Sequence, residues 1–365
     1  MIKPANPLLD ILFIENKILK LFKKTLKSGN YVLGKNVKKF EKNFARYNQS
    51  NHCVGVASGT DAIYLAIKSL EIGKGDEIIT VANTASATIS AIIQSGAKPI
   101  LIDIDEYYLI DTNKIEKYIT KRTKAILPVH LYGQLCDMKK IIQIAKKYKL
   151  KIIEDCSQSH GAQLDKKKAG SYGDIGCFSF YPTKNLGSIG DAGAIITNNN
   201  LIYQKLLKMR EYGWKPKFNS NIYGWNSRLD EIQAGILNIK LDILNLLNQK
   251  RIKIANYYND NIKNDQIILP KKNFKNTKHV YHLYVVRVEK REKFINFLLK
   301  KSIQCSIQYP FPINKQKFFS NKIKYDNLTN TERFAKQIIS LPMYPFLKND
   351  DIKYIVKVIN NYVSR

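Results

Sequence analysis

The sequence predicts an α/β fold: a mostly parallel central sheet flanked by helices, with a smaller C-terminal α+β domain. Three observations carry this. Short apolar runs alternate with helical periods through the first half of the chain, the pattern of repeated βα units whose strands are buried on both faces. The joints between them are short and rich in Gly, Ser, Thr and Asp. Beyond one long helical stretch the order changes to strand, helix, strand, loop and helix, the makeup of a compact appendage. The division is placed at residues 1–245 and 246–365, the second part beginning with the connecting helix.

Residues 1–50 read as helical in two pieces, broken at SGNYVLG before the amphipathic KNVKKFEKNFARY. A short strand from Cys53 to Ala57 meets Ser58-Gly59-Thr60 and a helix with apolar Ala62, Ile63, Ala66, Ile67 and Leu70. Strands at 77–82, 98–104, 124–133 and 149–156 are predicted, with helices from Ser86 to Gln94, Thr112 to Thr120 and Met138 to Tyr148 between them. Gly176 to Tyr181 is a further strand, and Leu201 to Tyr212 a helix. The helix entered at RLDEIQAGIL runs to about residue 257. HLYVVRV and SIQCSIQYP read as strands around the helix REKFINFLLKK, and Asn349 to Tyr362 closes the chain as a helix.

Composition narrows the function classes. No apolar run approaches the roughly 20 residues that span a bilayer, and the N-terminus lacks a small-residue cleavage site, so the expected location is the cytoplasm. Five scattered cysteines form no CxxC pair and read as reduced, packed thiols. His279 and His282 fall three apart on a strand, facing opposite ways, and no metal site is expected. The net charge of +30 is spread along the chain as lysine, with no zinc-finger, RNP-like or helix-turn-helix motif. It reads as a solvated surface favourable to a polyanionic small molecule, with neither nucleic acid nor membrane as partner.

Lys184 is the residue around which the candidate chemistry gathers. It follows the strand ending at Tyr181, sits after Pro182 and Thr183, and precedes Gly187, Gly190 and Gly193, so it lies on a turn where backbone can approach a bound group. A desolvated lysine held there suits Schiff-base chemistry; with 60 of 365 residues Lys or Arg, a solvated surface lysine is the other reading. The Ser58-Gly59-Thr60 turn at a helix start can hold a phosphate through amides, the Thr60 hydroxyl and the helix dipole, or serve as an ordinary cap. Asp103, His130 and Asp155 fall at strand carboxyl ends, where ligands bind in such sheets. Asp155, followed by Gln158 and His160 in a polar loop, can pair with a protonated ring nitrogen while Gln158 donates to a phenolic oxygen; a turn cap is the alternative.

A phosphate turn, an acidic strand end and a Schiff-base lysine at one sheet edge together describe a pyridoxal phosphate site. The segments SGTDA, IIEDCSQSHGA, GDIGCFSFYPTKNLGSIGDAGAIITN, GWNSRLDEIQA and YHLYVVR resemble, in this order and across nearly the whole chain, the fold-type I sugar aminotransferases of the DegT/StrS family. The resemblance implies that Lys184 binds pyridoxal 5'-phosphate and moves the proton, with pyridoxamine phosphate as the intermediate form. It implies that Asp155 pairs with the pyridine nitrogen, Gln158 with the phenolic oxygen, and Gly59, Thr60 and Ser179 with the phosphate. Asn226 would reach that phosphate from the neighbouring subunit of a homodimer, and His160 and Arg228 would support the site. Tyr31, Tyr181, Arg228 and Tyr309 are the implied substrate contacts.

Two departures from the family pattern stand out. Ala85 occupies the position of the aromatic residue that stacks on the pyridine ring, and QYPFPINKQ carries Gln308 and Asn314 where one branch has histidines. The implied reaction moves an amino group from L-glutamate to a nucleoside-diphosphate-linked keto-sugar. GNYVLG, LYGQLCDM and SFYPTKNLG resemble the branch that aminates carbon 3, favouring a dTDP-3-keto-6-deoxyhexose over a 4-keto-sugar. Lys184 argues against the dehydratases on this scaffold, which carry histidine there, and a basic regulatory DNA-binding protein is the reading from another class.

Overall fold

Eight strands form the central sheet of the computed structural model, which describes residues 1–363. In spatial order they are His52–Val56, Gly193–Thr197, Ile175–Ser179, Lys151–Asp155, Thr123–Ile126, Glu77–Val81, Lys98–Ile102 and Lys324–Tyr325. The six from Ile175–Ser179 to Lys324–Tyr325 run parallel. Gly193–Thr197 is antiparallel to both its neighbours. Val54, Ile78, Ile79, Ile100, Leu101, Ile126 and Ile153 are buried with almost no exposure, each such side chain contributing roughly 1.5–3 kcal/mol of transfer free energy.

Helices cover both faces. In the helix Lys35–Tyr47, Val37, Phe40 and Phe44 recur at helical spacing and are buried. Phe44 meets Phe178 edge-on at 4.9 Å and Phe180 at 5.2 Å, so this helix supports the strand that leads to Lys184. Its start is held by Glu231, whose two carboxylate oxygens accept the amides of Asn36 and Val37 at 2.9 Å. Glu231 in turn opens the 31-residue helix Glu231–Asn261. The division placed at 245/246 lies inside that helix. The helix's first half packs into the sheet's core, whereas Ile254, Ala255 and Tyr258 join a second cluster with Tyr284, Phe294, Ile339 and Ile355.

Several elements differ from expectation. The N-terminal region holds three helices, Pro7–Leu12, Glu15–Ser28 and Lys35–Tyr47, with the expected break before the last. Thr112 to Thr120 is a turn with a short 3-10 segment, Glu116–Tyr118, instead of a helix; the amide of Asn113 is taken by the Asp111 side chain at 3.1 Å, closing a local turn. The strand expected at 124–133 stops at Ile126, and Leu131–Gly133 curls into a 3-10 turn with Tyr132 at φ 60°. SIQCSIQYP forms no strand: its strand-type pairing is limited to the single bridges Ile2–Ile303 and Ser306–Ser340. The partner of Tyr284–Arg287 is Ile338–Leu341, antiparallel and unforeseen. Among the described residues all five cysteines are free, four of them buried, and no helix is long and apolar enough to cross a membrane.

Candidate active site

The carboxyl ends of Lys151–Asp155 and Ile175–Ser179 face the turn that follows His52–Val56, and between them opens a cleft of about 250 Å³. It is lined by Gly59, Thr60, Ala85, Asp155, Gln158, Ser179, Tyr181 and Lys184, all expected from sequence, and also by Thr84, Thr88, Val129 and Asp191.

Lys184 stands on a turn closed by its own amide donating to the Tyr181 carbonyl at 2.8 Å. Burial lowers its amine from the ordinary 10.5 to about 8, the Asp155 charge pulling the other way. Glycines let this turn lie against the rest of the site. A side chain at Gly187 would strike the Pro182 carbonyl, and one at Gly193 the Ser58 carbonyl.

Asp155 is buried but well partnered. Its Oδ2 accepts from the Thr88 hydroxyl at 2.9 Å and its Oδ1 from the Ser157 amide at 3.0 Å, leaving lone pairs free for a protonated nitrogen. Thr88 is paired with Thr84 at 2.8 Å. Gln158 accepts the Tyr132 amide at 2.9 Å and donates to the Tyr309 hydroxyl at 3.1 Å, so one of its two N–H groups remains for another acceptor. Tyr309 thus touches the site through Gln158. Its proton, freed by accepting from Gln158, can itself be donated.

At the phosphate side, Ser58 caps the helix Gly59–Ser69 by accepting the Asp61 amide at 3.0 Å. Ser227 ties this turn down: its hydroxyl accepts the Ala57 amide at 3.0 Å and donates to Asp61 at 2.7 Å. Gly59 has no room for a side chain, since a Cβ would lie 2.5 Å from that of Ser179. Turn, helix start and Ser179 therefore meet closely enough to enclose one anion.

The remaining expected residues lie elsewhere. His160 is buried against the rings of Phe178 and Phe180, and burial, with the Lys184 charge adding to it, pushes it down to about 3, so it is neutral. Tyr31 is exposed, its hydroxyl donating to the Leu26 carbonyl. Asn226 is exposed, and Arg228 lies 5.9 Å from the Tyr212 ring. None of these four lines the cleft of its own chain.

Asp103 and His130, placed at the binding edge by position, are structural. Asp103 accepts the Thr331 amide at 2.8 Å and hydroxyl at 2.9 Å and the Asn330 amide at 3.0 Å, holding the start of the helix Thr329–Gln337. His130 bonds Glu154 through Nε2 at 2.9 Å and accepts the Cys136 amide at Nδ1. Glu154 also gathers the amides of Gly170, Tyr172 and Gly173. Cys156 lies beside this pair, but the His130 and Glu154 groups are spent on these bonds. His279 and His282 precede the strand Tyr284–Arg287, and His282 bonds Asn185.

Thr88 escaped sequence reasoning, because its acceptor lies 67 positions away. Its only signal was a hydroxyl in the first turn of a helix following a strand.

A low-pKa lysine, a carboxylate with spare lone pairs, an amide donor and an anion-sized turn form a donor set that fits pyridoxal phosphate, and with this sheet they define a fold-type I pyridoxal phosphate enzyme. The comparisons agree. The chain belongs to the DegT/DnrJ/EryC1/StrS aminotransferase family, whose pattern it matches over residues 13–360. It is 46% identical to the dTDP-3-amino-3,6-dideoxy-alpha-D-galactopyranose transaminase of Aneurinibacillus thermoaerophilus, over 98% of this chain and 99% of that one. Among solved structures it resembles DesV of S. venezuelae, with a TM-score of 0.96, 34% identity, and coverage of 100% of this chain and 99% of that one. It also resembles ntda of Bacillus subtilis, solved with bound cofactor PMP, with a TM-score of 0.88, 35% identity, and coverage of 94% of this chain and 80% of that one. The protein is a pyridoxal phosphate-dependent aminotransferase acting in nucleotide-sugar chemistry.

Proposed function

We propose that the enzyme moves the amino group of L-glutamate to a dTDP-linked 3-keto-6-deoxyhexose, releasing 2-oxoglutarate and a dTDP-3-amino-3,6-dideoxyhexose for a surface glycan. The observation that carries the reading is the meeting of Lys184, Asp155 and the Ser58–Thr60 turn in one cleft. The carbon-3 assignment is supported by the likeness to a transaminase named for a 3-amino-3,6-dideoxy product.

When bound, pyridoxal phosphate withdraws electrons from the carbon bearing the migrating nitrogen and makes its hydrogen acidic. Lys184 then supplies the base: its amine, lowered to about 8, can take that proton from the carbon on one side of the migrating nitrogen and return it to the carbon on the other side. Asp155, steadied by Thr88 and Ser157, keeps the ring nitrogen protonated. The spare N–H of Gln158 donates to the phenolic oxygen, and Gly59, Thr60 and Ser179 hold the phosphate. We assign sugar contact to Tyr181, which lines the cleft, and to Tyr309, whose hydroxyl is bonded by Gln158.

Asn226 and Arg228 act on the second subunit of a homodimer. What supports this is the apolar surface next to them: Leu19, Phe22, Leu26, Tyr31 and Val32 are exposed, and Val32 is bridged to Asp230. Tyr31 would meet substrate across the same interface. The proposed place of work is the cytoplasm; no helix among the described residues is long and apolar enough to cross a membrane.

An absorbance spectrum with pyridoxal phosphate, before and after glutamate, tests the first half-reaction. The expected result is a visible band that glutamate converts to the pyridoxamine form, followed by recovery when the 3-keto-sugar is added. Recovery with the 4-keto isomer alone would overturn the carbon-3 assignment, and no band at saturating cofactor would overturn the whole reading.

A further inference from the structure

A chain of buried amides runs directly behind the reacting lysine. Asn248, in the middle of the helix Glu231–Asn261, is fully buried. Its Oδ1 accepts from Asn185 Nδ2 at 2.8 Å, and its Nδ2 donates to the His160 carbonyl at 2.9 Å. Asn185 is the residue after Lys184, and both N–H groups of its side chain are committed. Its second N–H goes to the Val280 carbonyl at 3.1 Å and its Oδ1 accepts from His282 Nδ1 at 3.2 Å, which fixes the tautomer of that ring. The His160 carbonyl belongs to the loop that starts at Asp155 and carries Gln158. Gly161, at φ +81°, presses this loop onto the helix so closely that a Cβ would lie 2.9 Å from Asn248 Nδ2. Three residues further along the helix, Arg251 donates to the Met343 carbonyl at 3.0 Å and lies within 3.4 Å of the Tyr281 and His282 carbonyls.

We propose that Asn248 is a positioning residue for the amino transfer: through one side-chain amide it sets the distance between the turn carrying Lys184 and the loop carrying Asp155 and Gln158. The idea rests on Lys184 being the reacting base. A lysine side chain is long and flexible, so its ε-amine is placed only as well as the backbone beneath it. That backbone is held from below by Asn185, and Asn185 by Asn248. Fully buried amides that lose a partner carry the whole cost of desolvation, so the two bonds of Asn248 are not given up without rearrangement. A displacement of about 1 Å at a reacting group costs on the order of a hundredfold in rate.

The test uses Asn248→Ala, which removes both bonds, and the isosteric Asn248→Asp, which keeps the acceptor for Asn185 and loses the donor to His160. Each is measured as holoenzyme for kcat and KM, and as cofactor-free protein for the pH dependence of acylation at Lys184. Expected are a fall in kcat of about 10- to 100-fold with KM within about twofold, and a Lys184 titration moved upward as water reaches the loosened turn. Asn248→Asp, whose second oxygen faces the His160 carbonyl, should show the same two changes. A lower melting temperature with unchanged kcat and unchanged Lys184 titration would show a purely structural role and overturn the proposal. If Asn248→Ala does not fold, Asn248→Asp decides by the same two readouts. Lys184→Ala is the control: normal turnover there would sink the proposed function, whereas an inactive Lys184→Ala beside an unaffected Asn248 variant sinks only this proposal.

Discussion

Acylation of the cofactor-free protein across about pH 6 to pH 11, read by mass spectrometry at every lysine, singles out Lys184 against its surface neighbours. Its amine is lowered to about 8 from 10.5. At pH 7 about a tenth of it is neutral, roughly 300-fold more than for an ordinary lysine. The sign is fixed by the cause: burial penalises the charged form, so the reactive fraction climbs through pH 8 and levels off above it. Asp155 acts in the opposite direction, holding the proton on. Asp155→Asn should therefore move the titration of Lys184 further down and speed its acylation at pH 7, even as it disables turnover by leaving the ring nitrogen unpaired. A midpoint near 10.5 in the wild type, or an upward shift in Asp155→Asn, would refute the account of the site's electrostatics.

Three further outcomes follow from the same geometry. The lowered amine makes the unfolded chain bind more protons than the folded one between about pH 8 and pH 10.5, so the cofactor-free protein should gain stability relative to Lys184→Met as pH rises through that window, measured by denaturant melts. Thr88→Val removes a hydrogen bond to a carboxylate, worth about 1.5–3 kcal/mol; it should lower kcat by about tenfold or more, with Thr88→Ser restoring it. Gly59→Ala should weaken cofactor binding and destabilise the fold by about 1–3 kcal/mol, and Ser179→Gly in the same chain should recover the stability, though not the cofactor affinity, in paired thermal and binding measurements.

The sheet was legible wherever a strand's burial is written into its own residues. EIITVA and KLKIIEDC are apolar runs between turn residues, and they became Glu77–Val81 and Lys151–Asp155. Elements decided by distant partners were not legible. SIQCSIQYP alternates like a strand but finds only single bridging partners, whereas Ile338–Leu341 pairs because Tyr284–Arg287 lies beside it. Lys324–Tyr325 joins the far edge of the main sheet by contacts that no local pattern announces. The same contrast holds in the site. The meeting of Lys184, Asp155 and Gly59 in one cleft was readable because turn chemistry and strand ends are local properties. Asp103 directly follows its strand and His130 lies four residues beyond the end of its own, and one is taken by Thr331 and the other by Glu154. Position at a strand end admits a residue to the candidate list, and only its tertiary partners decide whether it is free to act.

Gly187 and Gly193 lie against the carbonyls of Pro182 and Ser58 with no space for even a methyl group. The lysine turn and the phosphate turn are in effect a single casting, and nothing inside it can be adjusted without breaking it. On the proposed reading, a change of sugar, whether by drift over generations or by a library at the bench, falls to side chains at the cleft's edge such as Tyr181. Such an enzyme can trade one acceptor for another while its machinery for moving protons stays untouched.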